Sequence, residues 1–261
     1  MRMHTSARAN MRRNTGVYRY KLKIAYDGSQ YFGWQVQPGK RTIQGQLENA
    51  FFSFTGQHIK VHASGRTDQG VHAAGQVAHV DVPSRFSGQS IEKALNALLD
   101  NDIRILQVDR SCATFHAQKN AVSKEYRYFI WNNKVMPPFL RYYRTHIPQP
   151  LDVECMNQAA RMLVGKKDFA SFTANPNRKV ETTVRHLSAL SVKRKGHEVV
   201  IIARSDGFLY KMVRSIAGFL IRVGEGAILP LETQTILRTH LRTAKVQTAP
   251  PQGLFLWHVY F

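Results

Sequence analysis

Lys124-Glu125-Tyr126-Arg127-Tyr128-Phe129-Ile130-Trp131 is the clearest strand in the chain. Side chains of an extended strand alternate between faces, so Tyr126, Tyr128 and Ile130 share one face and Arg127, Phe129 and Trp131 the other. Working outward, the same alternation predicts strands at residues 17–26, 58–63, 76–82, 103–108 and 254–261. Residues 184–193 and 198–205 read as a hairpin turning over Arg194-Lys195-Gly196-His197. Between them, Thr42 can cap a helix with Ile43, Leu47, Ala50 and Phe51 on one side. Further helices are predicted at 90–99, from an Asp152 cap to about 164, at 211–223 and at 231–242. Mixed strands and helices with hairpin links indicate an α+β fold, a mixed, largely antiparallel central sheet with helices on one side. No Pro/Gly/Ser-rich linker divides the halves, so two lobes would share one sheet.

With 261 residues and 43% hydrophobic content, the chain can build one large domain or two modest lobes on a common core. Lys plus Arg number 37 against 17 Asp plus Glu, a formal charge of +20. Such self-repulsion adds nothing to stability and points to a polyanionic partner, nucleic acid first, with a ribosomal or membrane surface also fitting. No apolar run reaches the roughly 18 residues of a membrane helix, which predicts a soluble protein. Two cysteines, Cys112 and Cys155, are too few for a disulfide scaffold or a structural zinc site. They suggest a reducing, cytoplasmic setting, and both read as core thiols. Residues 1–16 carry Arg2, Arg8, Arg12 and Arg13 without an acid and read as a flexible basic tail.

The sequence has no Walker A pattern, GxGxxG, HExxH or CxxC, so no cofactor and no metal is expected. Gly65-Arg66-Thr67-Asp68-Gln69-Gly70-Val71-His72-Ala73 stands out instead. Its glycines permit a sharp backbone path and close approach by a ligand. Arg66 can bind phosphate or stack on a base, and Asp68 is a potential nucleophile or base. The same residue types are also ordinary turn formers. In the helix predicted at 211–223, Lys211, Arg214, Ser215, Gly218 and Arg222 share a polar face. Its plain reading is a solvated basic stripe.

Taken together, the blocks resemble the TruA family of tRNA pseudouridine synthases. Gly65 to Ala73 resembles the family's signature loop, and Tyr26-Asp27-Gly28-Ser29 with Tyr31, Gly33, Trp34 and Gln35 its opening block. Lys124 to Tyr128 is similar to its KxYxY strand, Asp168 to Phe172 to DFxSF, Phe208 to Arg214 to FLxxMVR, and Ala249 to Leu254 to the terminal APxxGL. Gln118 and Lys167 depart from residues the family often has, and Gln69 fills a variable position.

The resemblance implies the pseudouridine synthase fold, two similar lobes sharing one sheet. Residues 17–110 would form a catalytic lobe carrying the RTD loop, and residues 111–261 a lobe completing the cleft. It implies isomerisation of uridine to pseudouridine at positions 38, 39 and 40 of the tRNA anticodon stem-loop, by a cytoplasmic homodimer needing no cofactor. Asp68 would be the essential carboxylate, acting at C1′ or on a 2′ proton. Arg214 would keep it ionised by offsetting its desolvation. Tyr126 would stack on the uracil, Arg66 would fill the space left by a flipped nucleotide or grip its phosphate, and Leu254 would pack on the uracil edge. His72 and Trp34 would support the loop. Lys193-Arg194-Lys195, Arg178-Lys179 and Lys166-Lys167 are candidate tRNA contacts. The competing expectation is a non-catalytic RNA-binding protein or chaperone using the same basic cleft, which would not call for a carboxylate beside phosphates.

Overall fold

The computed structural model describes residues 16–174 and 181–261. The stretch at 124–131 forms β5 (Ser123–Trp131), and Tyr126, Tyr128 and Ile130 are buried as the alternation requires. Before it come β1 (Val17–Tyr26), α1 (Ile43–Thr55), β2 (His62–Ala63), β3 (His72–Pro83), α2 (Gly88–Leu98) and β4 (Ile103–Arg110). After it come β6 (Thr145–His146), α3 (Val153–Leu163), β7 (Gly165–Asp168), β8 (Val184–Lys195), β9 (Glu198–Ser205), α4 (Met212–Gly224), α5 (Glu232–Thr239) and β10 (Leu254–Tyr260).

The strands make one sheet in the order β4-β1-β3-β10-β5-β9-β8-β7, with β2 beside β3 and β6 beside β5. Only β10 with β3 and β5 with β6 pair in parallel. The last strand therefore joins the two halves of the sheet at its centre, parallel to β3 and antiparallel to β5. Cross-strand register puts Ile24 beside Ile105, Leu22 beside Ala78, Leu256 beside Tyr126, and Tyr128 beside Ile201. These residues form one buried face, against which α2 packs on β4, α3 on β8 and α4 on β5. The fold is α+β, with a mixed, mostly antiparallel sheet of ten strands and five α-helices among the described residues.

Helix starts follow their caps: the Thr42, Ser87 and Asp152 side chains each accept a backbone N–H of the first turn. The strand expected at 58–63 shrinks to His62–Ala63, the part that finds partners in β3. The expected four-residue hairpin turn tightens to Gly196-His197, with Gly196 at φ 57° supplying the left-handed step. The polar β7 carries no alternation to announce it. Neither cysteine is a core thiol: Cys112 is exposed and Cys155 half-buried. The basic tail falls in residues 1–15, apart from Gly16, and Arg178-Lys179 falls in 175–180; both lie outside the described residues.

Candidate active site

The loop between β2 and β3 holds Arg66, Thr67 and Asp68, and neutral groups fix it from behind. The Gln76 amide donates to the Gly65 carbonyl at 2.8 Å, and its oxygen accepts from the Ser64 hydroxyl at 2.9 Å. Thr67 Oγ1 lies 2.8 Å from the buried Tyr26 hydroxyl, whose pKa burial raises to about 12, keeping it a neutral partner. The Trp34 amide donates to Thr67 O at 3.0 Å, and the Val71 amide to Asp68 O at 3.2 Å. Gly33 sits at φ 88°, and a Cβ there would stand 2.7 Å from Thr67 O. A Cβ on Gly28 would strike the Val71 carbonyl. The opening YDG…GWQ block is thus the backing plate of the loop.

His72 and Trp34 belong to that support. Trp34 is buried. His72 is fully buried, with Nδ1 3.1 Å from both the Gly28 amide and an Asp27 oxygen. Asp27 also accepts from Ser29 and, at 2.7 Å, from the Tyr143 hydroxyl. Burial pushes the Asp27 carboxyl up, but the hydrogen bonds from His72, Ser29 and Tyr143 outweigh it and hold the carboxyl well below the usual carboxylate range.

The opposite wall comes from later in the chain. Arg214 Nη1 lies 3.4 Å from Asp68 Oδ2, with side chains 12% and 28% exposed. Its Nε donates to Ala249 O at 2.8 Å, and the Ala249 amide returns a bond to Arg214 O at 2.9 Å. Here the expectation of a solvated stripe fails. Arg242 donates to Ser215 Oγ, Arg222 donates to Ala244 O, and a Cβ on Gly218 would strike Gln247 O. The segment 244–249 covers that face, and Gly218 admits its backbone. Lys211 stands before α4 at φ 56°, not on its polar face.

Arg66, Asp68, Tyr126, Arg214 and Leu254 all line one cleft of about 1570 Å³. Tyr126 is buried, with Phe208 edge-on at 5.1 Å, and its hydroxyl has no hydrogen-bond partner among the described residues. Burial first, then the nearby Tyr26 and Asp68, raise its phenol well above the ordinary value. Leu254 is buried opposite Tyr128 in the ladder, one step from Leu256 beside Tyr126. Arg66 is exposed. Asp68 is the sole carboxylate among the described lining residues, sharing the lining with Arg66, Lys124, Arg141, Lys211 and Arg214. Lys124, Phe208, Gln76 and Tyr26 complete the site. Lys124, Phe208 and Tyr26 stand in family blocks but without an expected role, and Gln76 carries no signal at all.

Of the candidate tRNA contacts, Arg194 is bonded to Asn132 Oδ1 and Leu151 O. Lys166 and Lys167 lie on β7, the sheet edge, where lysines also discourage edge-to-edge pairing.

One carboxylate among the described lining residues thus stands in a basic cleft walled in part by aromatic side chains. The family model described as tRNA pseudouridine synthase matches residues 23–118 and 159–261. The tRNA pseudouridine synthase A of Brevibacillus brevis is 44% identical over 243 residues, covering 93% of this chain and 99% of that protein. The Bacillus subtilis protein of the same name is 43% identical over 245 residues, with 93% and 99% covered. That of Listeria innocua is 42% identical over 244 residues, with 92% and 98% covered. The chain belongs to the tRNA pseudouridine synthase family.

Proposed function

We propose that this protein isomerises uridine to pseudouridine at positions 38, 39 and 40 of the tRNA anticodon stem-loop, with Asp68 as the catalytic group. The observation that carries the reading is the single carboxylate at the junction of the two walls, 3.4 Å from Arg214 and in the same cleft as Tyr126. In the reaction the C1′–N1 bond breaks, the uracil turns, and C1′ bonds to C5. C5 loses its proton and N1 gains one, so the change is redox-neutral. Asp68 serves either by attack on C1′ or by removal of a 2′ proton; each route needs the ionised carboxylate that Arg214 faces.

Tyr126 holds the flipped uracil by stacking, a contribution of about 1–3 kcal/mol. Its unpartnered hydroxyl is free for a later proton transfer. Leu254 packs on the uracil edge. Arg66 fills the space that the nucleotide vacates on leaving the helix, an extrusion costing about a few kcal/mol. Neighbouring target positions require reading of tRNA shape through phosphates and 2′-hydroxyls, which suits the charge of +20. In this reading residues 17–110 form the catalytic lobe, residues 111–261 complete the cleft, and the enzyme acts in the cytoplasm as a homodimer. The test is to incubate the pure protein with unmodified tRNA and map the modified bases. Pseudouridine confined to positions 38–40 is expected; none there, with tRNA bound, would leave only the RNA-binding role.

A further inference from the structure

Three cations of the cleft, Lys124, Arg141 and Lys211, have no part in the reading above; Arg141 donates to Pro138 O and Lys211 lies over the Tyr210 ring, whereas Lys124 reaches across the Asp68 loop. Lys124 lies on β5 two residues before Tyr126, on the same face, and lines the same cleft as Asp68. Its side chain runs across the loop that carries Asp68: a Cβ on Gly65 would stand 3.4 Å from Lys124 Nζ, 3.5 Å from Cε and 3.8 Å from Cδ. Lys124 is half-buried, and burial alone draws its pKa below the ordinary lysine value.

No carboxylate answers it. Among the described residues Lys124 has no ion pair and no side-chain hydrogen bond. Its cross-strand neighbours Ser205 and Val259 are uncharged. Glu125 points to the other face, where it accepts from Arg127 at 2.8 Å and from Tyr260 at 3.0 Å. Asp68, the cleft's carboxylate, is engaged by Arg214. The contrast with Arg66 matters. An exposed arginine without a partner is solvated and needs no explanation. A half-buried ammonium has given up part of its water and gained nothing in return, an arrangement that costs stability unless a ligand completes it.

We propose that Lys124 binds a backbone phosphate of the RNA adjoining the nucleotide presented to Asp68, and so fixes the depth to which the strand enters the cleft. The inference rests on the reading of this cleft as the tRNA site. A phosphodiester fits because lysine grips phosphate as a point charge and asks for no planar geometry. Such contacts set position and register without reading sequence. Lys124 is a positioning residue, distinct from Asp68 in what its removal would do.

The test measures binding of unmodified tRNA to the wild type, Lys124→Met and Lys124→Arg by fluorescence anisotropy, across about 50 to 200 mM salt. Lys124→Met is expected to weaken binding and to make the slope of log affinity against log salt shallower by about one. Lys124→Arg, which keeps the charge, is expected to restore the slope. KM for tRNA should rise in Lys124→Met, and kcat should fall as well, since the nucleotide is held less well placed against Asp68. A Lys124→Met slope equal to that of the wild type would overturn the proposal, since a merely structural lysine leaves counterion release untouched. Lys124→Gln supplies the same reading should the methionine variant fail to fold. Tritium release from C5-labelled uridine tRNA by the wild type separates the two claims. Release with an unchanged slope refutes the lysine contact alone; no release with a changed slope refutes the isomerase and keeps the contact.

Discussion

The two walls of the cleft are built on opposite principles. The wall from the first half of the chain is closed: Tyr26, Thr67, Gln76, Ser64 and Trp34 satisfy one another and the Asp68 loop through buried bonds. The wall from the second half is more open: the Tyr126 hydroxyl and the Lys124 ammonium have no partner among the described residues, while Arg214 is pinned by Ala249 and Arg141 by Pro138. One wall holds a carboxylate still, and the other leaves donors and charge exposed to whatever enters. Preorganisation on one side and unspent polar capacity on the other is what an electrostatic active site needs.

The hardest way to break the closed wall is Gly28→Ala. Its Cβ would meet the Val71 backbone, which cannot step aside without moving the Asp68 loop. A loss of about 3 kcal/mol or more is expected, read by thermal denaturation, with activity falling further than stability explains. Gly218→Ala, against Gln247 O on the other wall, should cost similar stability and disturb Arg214 through the 247–249 segment. Next in size is Arg214→Met, which removes the guanidinium facing Asp68 and should lower kcat by about a hundredfold. Steady-state kinetics would show a smaller effect in KM. Tyr126→Phe sharpens the comparison. Because the hydroxyl bonds to nothing described, stability should change by less than about 0.5 kcal/mol, while turnover drops by about tenfold or more.

The smallest effect belongs to Asp27 and to acid. Its carboxyl titrates below its unfolded value, because the hydrogen bonds from His72, Ser29 and Tyr143 outweigh the burial that would raise it. It therefore contributes stability above about pH 4, and that contribution is lost as pH falls through the range below. Melting temperatures of the wild type and Asp27→Asn should converge on acidification and separate toward neutral pH.

Much of this was legible in the chain. The two-residue period over 124–131 placed Tyr126, Tyr128 and Ile130 inside, because one sheet face is covered and the other only partly so. Two glycines marked the Asp68 loop, and Gly70 is the one its backbone requires, at φ 75° with a Cβ position 3.0 Å from Pro251, whereas a Cβ on Gly65 would meet only the Lys124 side chain at ordinary contact distance. Arg214 was legible as one face of a helix, but the meaning of that face was not. Its partners are the carbonyls of an irregular segment, 244–249, with no periodicity to reveal that it folds back. The same holds for the cysteines, whose burial depends on which surface each element turns outward. Lys124 was invisible as a site for a subtler reason: a lysine is noteworthy here only because no carboxylate stands beside it, and sequence does not display which neighbours a fold withholds.

The central claim is that the Asp68 carboxylate does the chemistry, and tritium release from C5-labelled uridine tRNA by Asp68→Asn tests it most directly. Asparagine keeps the size and the loop, so the variant should bind tRNA and release tritium at least about a thousandfold more slowly than the wild type. Release at the wild-type rate by a folded Asp68→Asn protein would contradict the account.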